Sequence, residues 1–486
     1  MRIRTLLFSI VALGMLLALP VRAEDDSQDD VGYAWLSDSE GRQANAKGKV
    51  VGVGLTESLL AEVIVPAPPA ASAVSPFREE TPKAASPAAS EPMGGGVVAA
   101  DDDGPCIPCP ETCEPGWFKL LKFQALEDAR IDVRGWIDQG VTWNPDRPAN
   151  RFNGPVAYND RSNEYQLNQA YLIAQRAIDN GGCGWDWGGR IDLLYGTDYR
   201  FVEAIGLETR WDQAHRFYGL ALPQWYGEVA VDKLTVRAGH FYAPCGYETA
   251  MAPDNFFYSH SYTFLYGQPR TLTGAMLTYK LNDRLSANAG LDAGWNAWES
   301  INEKAGVLAG FTWITPDQRT TLSFEIFVNN QQLTGENVRS HYALVLARKF
   351  NDRLTYAFEH DYGRDDDAVS GQAGPQDAAW CSFAHYVVYT LNPCWSLGVR
   401  YEWFDDKDGL VIAGLGDPHG INLSAVPSQW NALSVGVNYK PNANVVLRSE
   451  LRWDWVNPRT RVPDYPFDDF TKGGQFLWGA DLIVKF

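Results

Sequence analysis

The chain has 486 residues and a formal net charge of −19, from 60 acidic against 41 basic side chains. That balance excludes a nucleic-acid-binding protein, which needs a basic face. No run reaches the roughly 18 consecutive apolar residues of a spanning helix, which excludes an α-helical membrane protein.

The first predicted element is a leader. Arg2 and Arg4 precede the apolar stretch from Leu6 to Leu19, and Val21-Arg22-Ala23 follows with small or aliphatic residues at the cleavage-determining positions. This order is that of a secretory signal peptide over residues 1–23. The stretch is short for a membrane anchor, which needs about 20 residues. No Cys follows the cleavage site, so a lipid anchor is not expected.

Residues 24–116 are Pro- and Ala-rich, as in Val65-Pro-Ala-Pro-Pro-Ala-Ala and Glu91-Pro-Met-Gly-Gly-Gly. Such a composition cannot bury enough apolar surface to offset its ordering entropy, so a disordered linker is predicted, with one short helix at most over 55–65. Cys106, Cys109 and Cys113 close it in a Cys-x2-Cys-x3-Cys cluster. A metal site there lacks a fourth ligand, since no His lies nearby. Disulfide bonding suits an exported protein better, and the odd total of 7 Cys leaves one over. No metal and no other cofactor is called for. Residues 117–128 read as a short helix or lead-in.

From residue 129 the chain keeps one rhythm, segments of about ten residues alternating apolar and polar as transmembrane strands do. Leu285 to Asn296 is the clearest: Leu285, Ala287, Ala289, Leu291, Ala293 and Trp295 against Ser286, Asn288, Gly290, Asp292, Gly294 and Asn296. Counting gives about sixteen strands, near 130–142, 167–177, 185–195, 222–231, 234–242, 271–280, 285–296, 305–315, 319–329, 341–350, 354–362, 378–390, 394–404, 430–439, 445–455 and 476–486. Tight turns fall at Asp232-Lys233, Asn282-Asp283, Pro316-Asp317, Asn351-Asp352, Asn392-Pro393 and Pro441-Asn442. Between these hairpins run longer loops: 195–220, 243–270, 363–376, 405–428 and 457–474. The last strand sets Phe476, Trp478, Ala480, Leu482, Val484 and Phe486 against Gly479, Asp481 and Lys485, with Ile483 as the one break.

A strand with one greasy and one wet face, short and long connections in alternation, and a terminal aromatic together predict an all-β fold. It is a transmembrane antiparallel up-and-down barrel, over 129–486. A soluble sandwich or propeller would also alternate. It would not need large aromatics outside or a systematic short–long alternation.

Several stretches carry a resemblance: Gly182-Cys-Gly-Trp-Asp-Trp-Gly, Arg190-Ile-Asp-Leu-Leu-Tyr-Gly-Thr-Asp198, Gly239-His-Phe-Tyr, Gly246-Tyr-Glu and Asp254-Asn-Phe-Phe-Tyr-Ser259. They resemble the OmpL-like β-barrel porins of bacterial outer membranes, over about Arg130 to Phe486. The resemblance implies an outer-membrane barrel passing small hydrophilic solutes, embedded in lipid and lipopolysaccharide, with a homotrimer as one possible assembly. It supplies no catalytic residues. The long N-terminal region departs from a minimal porin and keeps a second reading open, a structural or adhesive barrel tethered through that arm.

Selection in a pore is made by inward polar side chains. The pattern places Arg134, Arg190, Arg237, Asp292, Glu325, Arg400, Glu402, Arg448, Glu450 and Arg452 inward, where mutual pairing is the bland reading. The loop from Ala243 to Arg270 joins the fifth and sixth strands, the connection that folds inward in sixteen-stranded general porins. It carries Glu248, Asp254, Phe256, Phe257, Tyr258 and Arg270, and so many aromatics need cover from water. A constriction is therefore predicted, with Glu248 and Asp254 facing Arg134, Arg190 and Arg237, and aromatic and polar groups suited to a sugar-like solute. An enzyme is not expected: there is no G-x-S-x-G elbow, and adjacent Ser259 and His260 do not point together on a strand. The acid runs Arg364-Asp-Asp-Asp367, Asp405-Asp-Lys-Asp408 and Asp468-Asp469 lack a calcium-loop pattern and read as solvated loops.

Overall fold

The structure, a computed structural model, describes residue 121 and residues 123–486 apart from 212–215, 333–334, 372–373, 413–425 and 461–464. The expected leader, the linker and the Cys106, Cys109 and Cys113 cluster lie outside the described residues. A one-turn helix, Gln124–Asp128, leads into the wall.

The wall strands are β1 (Asp132–Trp143), β2 (Tyr165–Arg176), β3 (Trp185–Gly196), β4 (Gly219–Ala221), β5 (Trp225–Val231) and β6 (Leu234–Tyr242). There follow β7 (Thr271–Asn282), β8 (Leu285–Asp292), β9 (Gly306–Ile314), β10 (Thr320–Asn329), β11 (Arg339–Lys349) and β12 (Leu354–Gly371). The last five are β13 (Gly374–Asn392), β14 (Trp395–Asp406), β15 (Ser428–Asn442), β16 (Val445–Pro458) and β17 (Gly474–Lys485). Each pairs antiparallel with its neighbours, and β17 pairs with β1 from Trp136↔Lys485 to Trp143↔Trp478, closing the barrel. The seventeen segments make sixteen staves, because β4 and β5 both pair with β3 and are two pieces of one strand. Sequence reading runs that stave unbroken over 222–231. Pro223 sits in the break, where it has no N–H to give the ladder.

Among the described residues closure leaves no edge strand, the condition for a sheet in lipid. Side chains alternate across each stave. Trp185, Trp187, Trp225, Trp395 and Trp478 stand outside and exposed, while Asp192, Arg400, Glu450 and Asp481 are buried inside. The exception at Ile483 has a local cause. It points inward and packs with Trp136, Tyr171 and Val446 in an apolar cluster inside the barrel. Phe486 extends the closing pair beyond β17: its N–H and C=O both bond Gly135 at 2.9 Å.

Two boundaries differ from expectation. β8 ends at Asp292, so Trp295 is not an outward strand residue; it is buried and meets Trp380 edge-on at 6.1 Å. The predicted loop 363–376 is instead a hairpin, with pairing carried to Gly371↔Gly374 past a bulge between Asp365 and Val369. Gly374, which closes that pairing, has a φ of +118°. Gly363 is there for packing: a Cβ on it would lie 2.0 Å from the Trp380 indole.

Candidate functional site

The 243–270 connection between β6 and β7 enters the barrel. Its ends are tied where the Ala243 N–H bonds the Arg270 carbonyl at 2.9 Å. Irregular backbone inside a membrane barrel must find partners for its polar groups, and the wall supplies them. Arg448 Nη1 donates to three loop carbonyls, those of Ala252 (2.9 Å), Asn255 (3.1 Å) and Phe257 (2.9 Å). Arg452 donates to the His260 carbonyl at 2.6 Å, and Asn438 to that of Phe256 at 2.9 Å. Glu402 accepts the Tyr262 and Thr263 N–H groups at 2.5 and 3.1 Å. Gln169 of β2 holds the Ala250 carbonyl at 2.7 Å, and Trp380 of β13 holds that of Gly267 at 2.9 Å.

At the centre, Glu248 accepts from Arg400 at 2.7 Å, and Arg400 also reaches the Ser259 carbonyl at 2.7 Å. Ser259 gives its N–H and hydroxyl to Glu450 at 2.8 and 2.6 Å. Burial pushes the Glu248 carboxyl up, but the Arg400 guanidinium, helped by the Ser261 N–H, brings it below the ordinary value, so it is charged. Burial takes the neighbouring His260 ring down to about 4, so it is neutral at pH 7.

The loop aromatics are covered as their number requires: Phe256, Phe257 and Tyr258 are all buried. Wall glycines make the room. A Cβ on Gly398 would stand 2.2 Å from the Phe256 ring, one on Gly436 3.1 Å from Phe257, and one on Gly140 2.7 Å from Tyr258. Tyr258 also donates to Asn168 at 2.8 Å. Asp254 ends a short turn, Ala252–Asp254, and lines a narrow cleft with Tyr247, Glu248, Phe256, Tyr386 and Val388.

The arginines that face the loop differ from those expected. Arg134 bonds Asp132 and Gln175 instead of the loop. Arg237 bonds Glu228 at 3.0 Å and lies over the Tyr226 ring. Arg190 is paired with Asp192 and meets the loop at the Met251 sulfur, 3.3 Å away. The partners of Glu248 and of the loop backbone are Arg400, Arg448 and Arg452, on β14 and β16. Counting could have found their side of the barrel. The loop leaves the fifth stave and rejoins the sixth, so in a ring of sixteen the opposite staves are the thirteenth and fourteenth, β14 and β15; Arg400 stands on β14, and Arg448 and Arg452 stand on β16 beside that pair. Arg237, Arg190 and Arg134 stand on the fifth, third and first staves.

Toward the turn end of β6 to β9 the inner wall is open: Thr235, Arg237, Thr278, Ser286 and Asn288 are partly exposed. At the level of the loop it is closed over apolar side chains. Phe241, Leu272, Leu308 and Phe327 form one cluster with the loop residues Ala243 and Cys245. Tyr247, Phe256 and Phe257 fill another against Val345, Ala357, Tyr386 and Val388. Among the described residues no group of three His, Cys, Asp or Glu is placed to hold a metal ion.

A closed barrel with a greasy exterior, a polar vestibule and a loop drawn into its lumen defines a transmembrane β-barrel of the outer-membrane pore class. Residues 130–486 match the family described as "Putative beta-barrel porin-2, OmpL-like", and the chain belongs to that family. It is an outer-membrane porin. No curated protein matches the chain. Among solved structures it is similar to the outer membrane channel DcaP of Acinetobacter baumannii, with a TM-score of 0.47, 12% identity, and coverage of 73% of this chain and 97% of that one. It is also similar to the anion-selective porin from Comamonas acidovorans, with a TM-score of 0.47, 10% identity, and coverage of 73% and 99%. OmpT of Vibrio cholerae is a third, with a TM-score of 0.43 at 10% identity over 73% and 97%.

Proposed function

We propose that the barrel passes small hydrophilic solutes by passive diffusion and that the 243–270 loop is its constriction. The observation that supports this is the set of buried hydrogen bonds from Arg400, Arg448 and Arg452 to the loop, which fix it in the lumen. Glu248, Asp254, Phe256, Phe257, Tyr258 and Arg270 are the loop residues we assign to the constriction, and Arg134, Arg190 and Arg237 line the wall around it. The barrel performs no bond chemistry in this reading. Its partners are the bilayer, lipopolysaccharide and the solutes, with a homotrimer as the assembly to test. Residues 1–23 act as a cleaved leader and 24–116 as a linker.

The closeness of the packing favours a second reading, in which the loop is a plug and the barrel is structural. Planar-bilayer recording separates the two. Discrete current steps are expected from the porin, and reversal potential in a salt gradient should move toward anions in Glu248→Gln, which uncovers the Arg400 charge. A folded, inserted barrel without current steps would support the plug.

A further inference from the structure

Seven arginines are buried among the described residues: Arg190, Arg200, Arg270, Arg339, Arg400, Arg448 and Arg452. Six sit against a carboxylate, on Asp192, Asp160, Asp365, Glu248, Asp481 and Asp454 respectively. Arg270 is the seventh. It is 1% exposed, has no acid partner, and its Nε and Nη1 make no hydrogen bond. A buried charge without a partner is among the costliest things a fold can hold, and a guanidinium keeps its proton. The fold supplies an acid to each of the other six, from wall strands for Arg190, Arg339, Arg448 and Arg452 and from loops for Arg200 and Arg400.

The residue is held rigidly. Its N–H bonds Asn296 Oδ1 at 2.8 Å and its carbonyl takes the Ala243 N–H, so it is pinned where the loop rejoins the wall. The phenols of Tyr158 and Tyr266 lie within electrostatic reach of it. The Tyr158 hydroxyl is also buried and makes no hydrogen bond. Tyr158 is itself fixed between rings, stacked on His260 at 3.9 Å and on Phe201 at 4.8 Å. The Nε and Nη1 groups of Arg270 and the hydroxyl of Tyr158, a phenol within electrostatic reach of it, are all buried and all without an acceptor.

We propose that Arg270, with the Tyr158 hydroxyl, is a docking position for the oxyanion group of a permeating solute, a carboxylate or a phosphate. This rests on the porin reading and names its solute class. An oxyanion oxygen matches a guanidinium N–H donor, and in so dry a place the charge-assisted bond is strong. An arginine permanently paired to a wall acid would add no selectivity for anions. An arginine left open draws them to the loop and releases them once the group passes to water.

Binding is tested without relying on current. The folded full-length barrel in detergent is heated at constant ionic strength with rising sodium phosphate, and separately with rising sodium acetate. The wild-type unfolding midpoint should rise with either ion. Arg270→Gln should lose the rise, and Arg270→Lys should keep part of it. Phosphate alone acting, or acetate alone, assigns the position to that group. An equal rise in Arg270→Gln, or none in the wild type, overturns the proposal. In bilayers, Arg270→Gln should lower the anion-to-cation permeability ratio severalfold with current steps retained. Steps in the wild type with an unchanged ratio in the variant reject the docking position and keep the porin. Absence of steps in the wild type rejects the porin reading, while the heating result stands separately.

Discussion

Single residues show how the loop is tied to the wall, and Asp198 links the two through titration. It lies in the short helix Thr197–Phe201, just outside β3. Its carboxylate accepts from Asn168 and Gln169, each at 2.9 Å, and these are the residues that hold Tyr258 and the Ala250 carbonyl of the loop. Burial pushes the Asp198 carboxyl up to about 7, against those hydrogen bonds and the Arg200 charge. A carboxyl raised in the folded state favours folding while it is protonated. That contribution is complete below its ordinary value and is lost as pH rises through about 7. We therefore expect the denaturation midpoint of the wild type to fall from about pH 5 to about pH 9, and that of Asp198→Asn to fall less. The check is urea unfolding in detergent across that range. Parallel profiles would place the titration on another group. The sequence showed Asp198 only as an acid in a long loop, because nothing local reveals that Asn168 and Gln169 point at it from the next stave.

Elements behave more predictably, since a strand's faces follow from a period of two. β6 spans Leu234–Tyr242, the bounds read from sequence, and most other staves shift by a residue or two. The misses share a cause. Gly363 opens the stretch expected as a loop and instead makes room for Trp380, and Trp295 continues an alternation that the backbone has already left. What a glycine faces depends on the next strand, so its role is legible only after closure. Gly398 and Gly436 illustrate this, and they yield a graded prediction. A methyl on Gly398 collides with the Phe256 ring, whereas one on Gly436 is only tight against Phe257. Overpacking of this kind costs about 1–3 kcal/mol. Gly398→Ala should displace the loop tip and raise single-channel conductance, with Gly436→Ala nearer to wild type. Equal conductance in all three would mean that the tip does not set the pore's width. The last strand is a second case. Phe486 adds two backbone hydrogen bonds to the β1–β17 seam. Its deletion should reduce the heat-modifiable, membrane-inserted fraction; unchanged assembly would reject a role for the terminal aromatic.

At the scale of the molecule, the barrel was legible because its constraint is global: every stave must alternate, every connection must turn, and the ends must meet. The inward loop was legible from its place in the count and from aromatics that need cover. Its partners lie far along the chain: proximity in sequence favours Arg134, Arg190 and Arg237, while ring closure sets the loop across from the side formed by β14 to β16. The same closure bears on the last prediction. The seam is formed entirely by β1 and β17, and both begin after residue 130. Among the described residues, the hydrogen bonds that tie the loop to the wall run between residues of 130–486. A chain that keeps the leader and resumes at Trp117 should therefore insert, show heat-modifiable migration and protect its strands from protease to the same extent as the full chain. If the shortened chain fails to fold, residues 24–116 contribute to assembly and the linker assignment is wrong. If it folds and conducts but no longer holds the outer membrane to the layer beneath it, the segment is a tether and the barrel carries both functions.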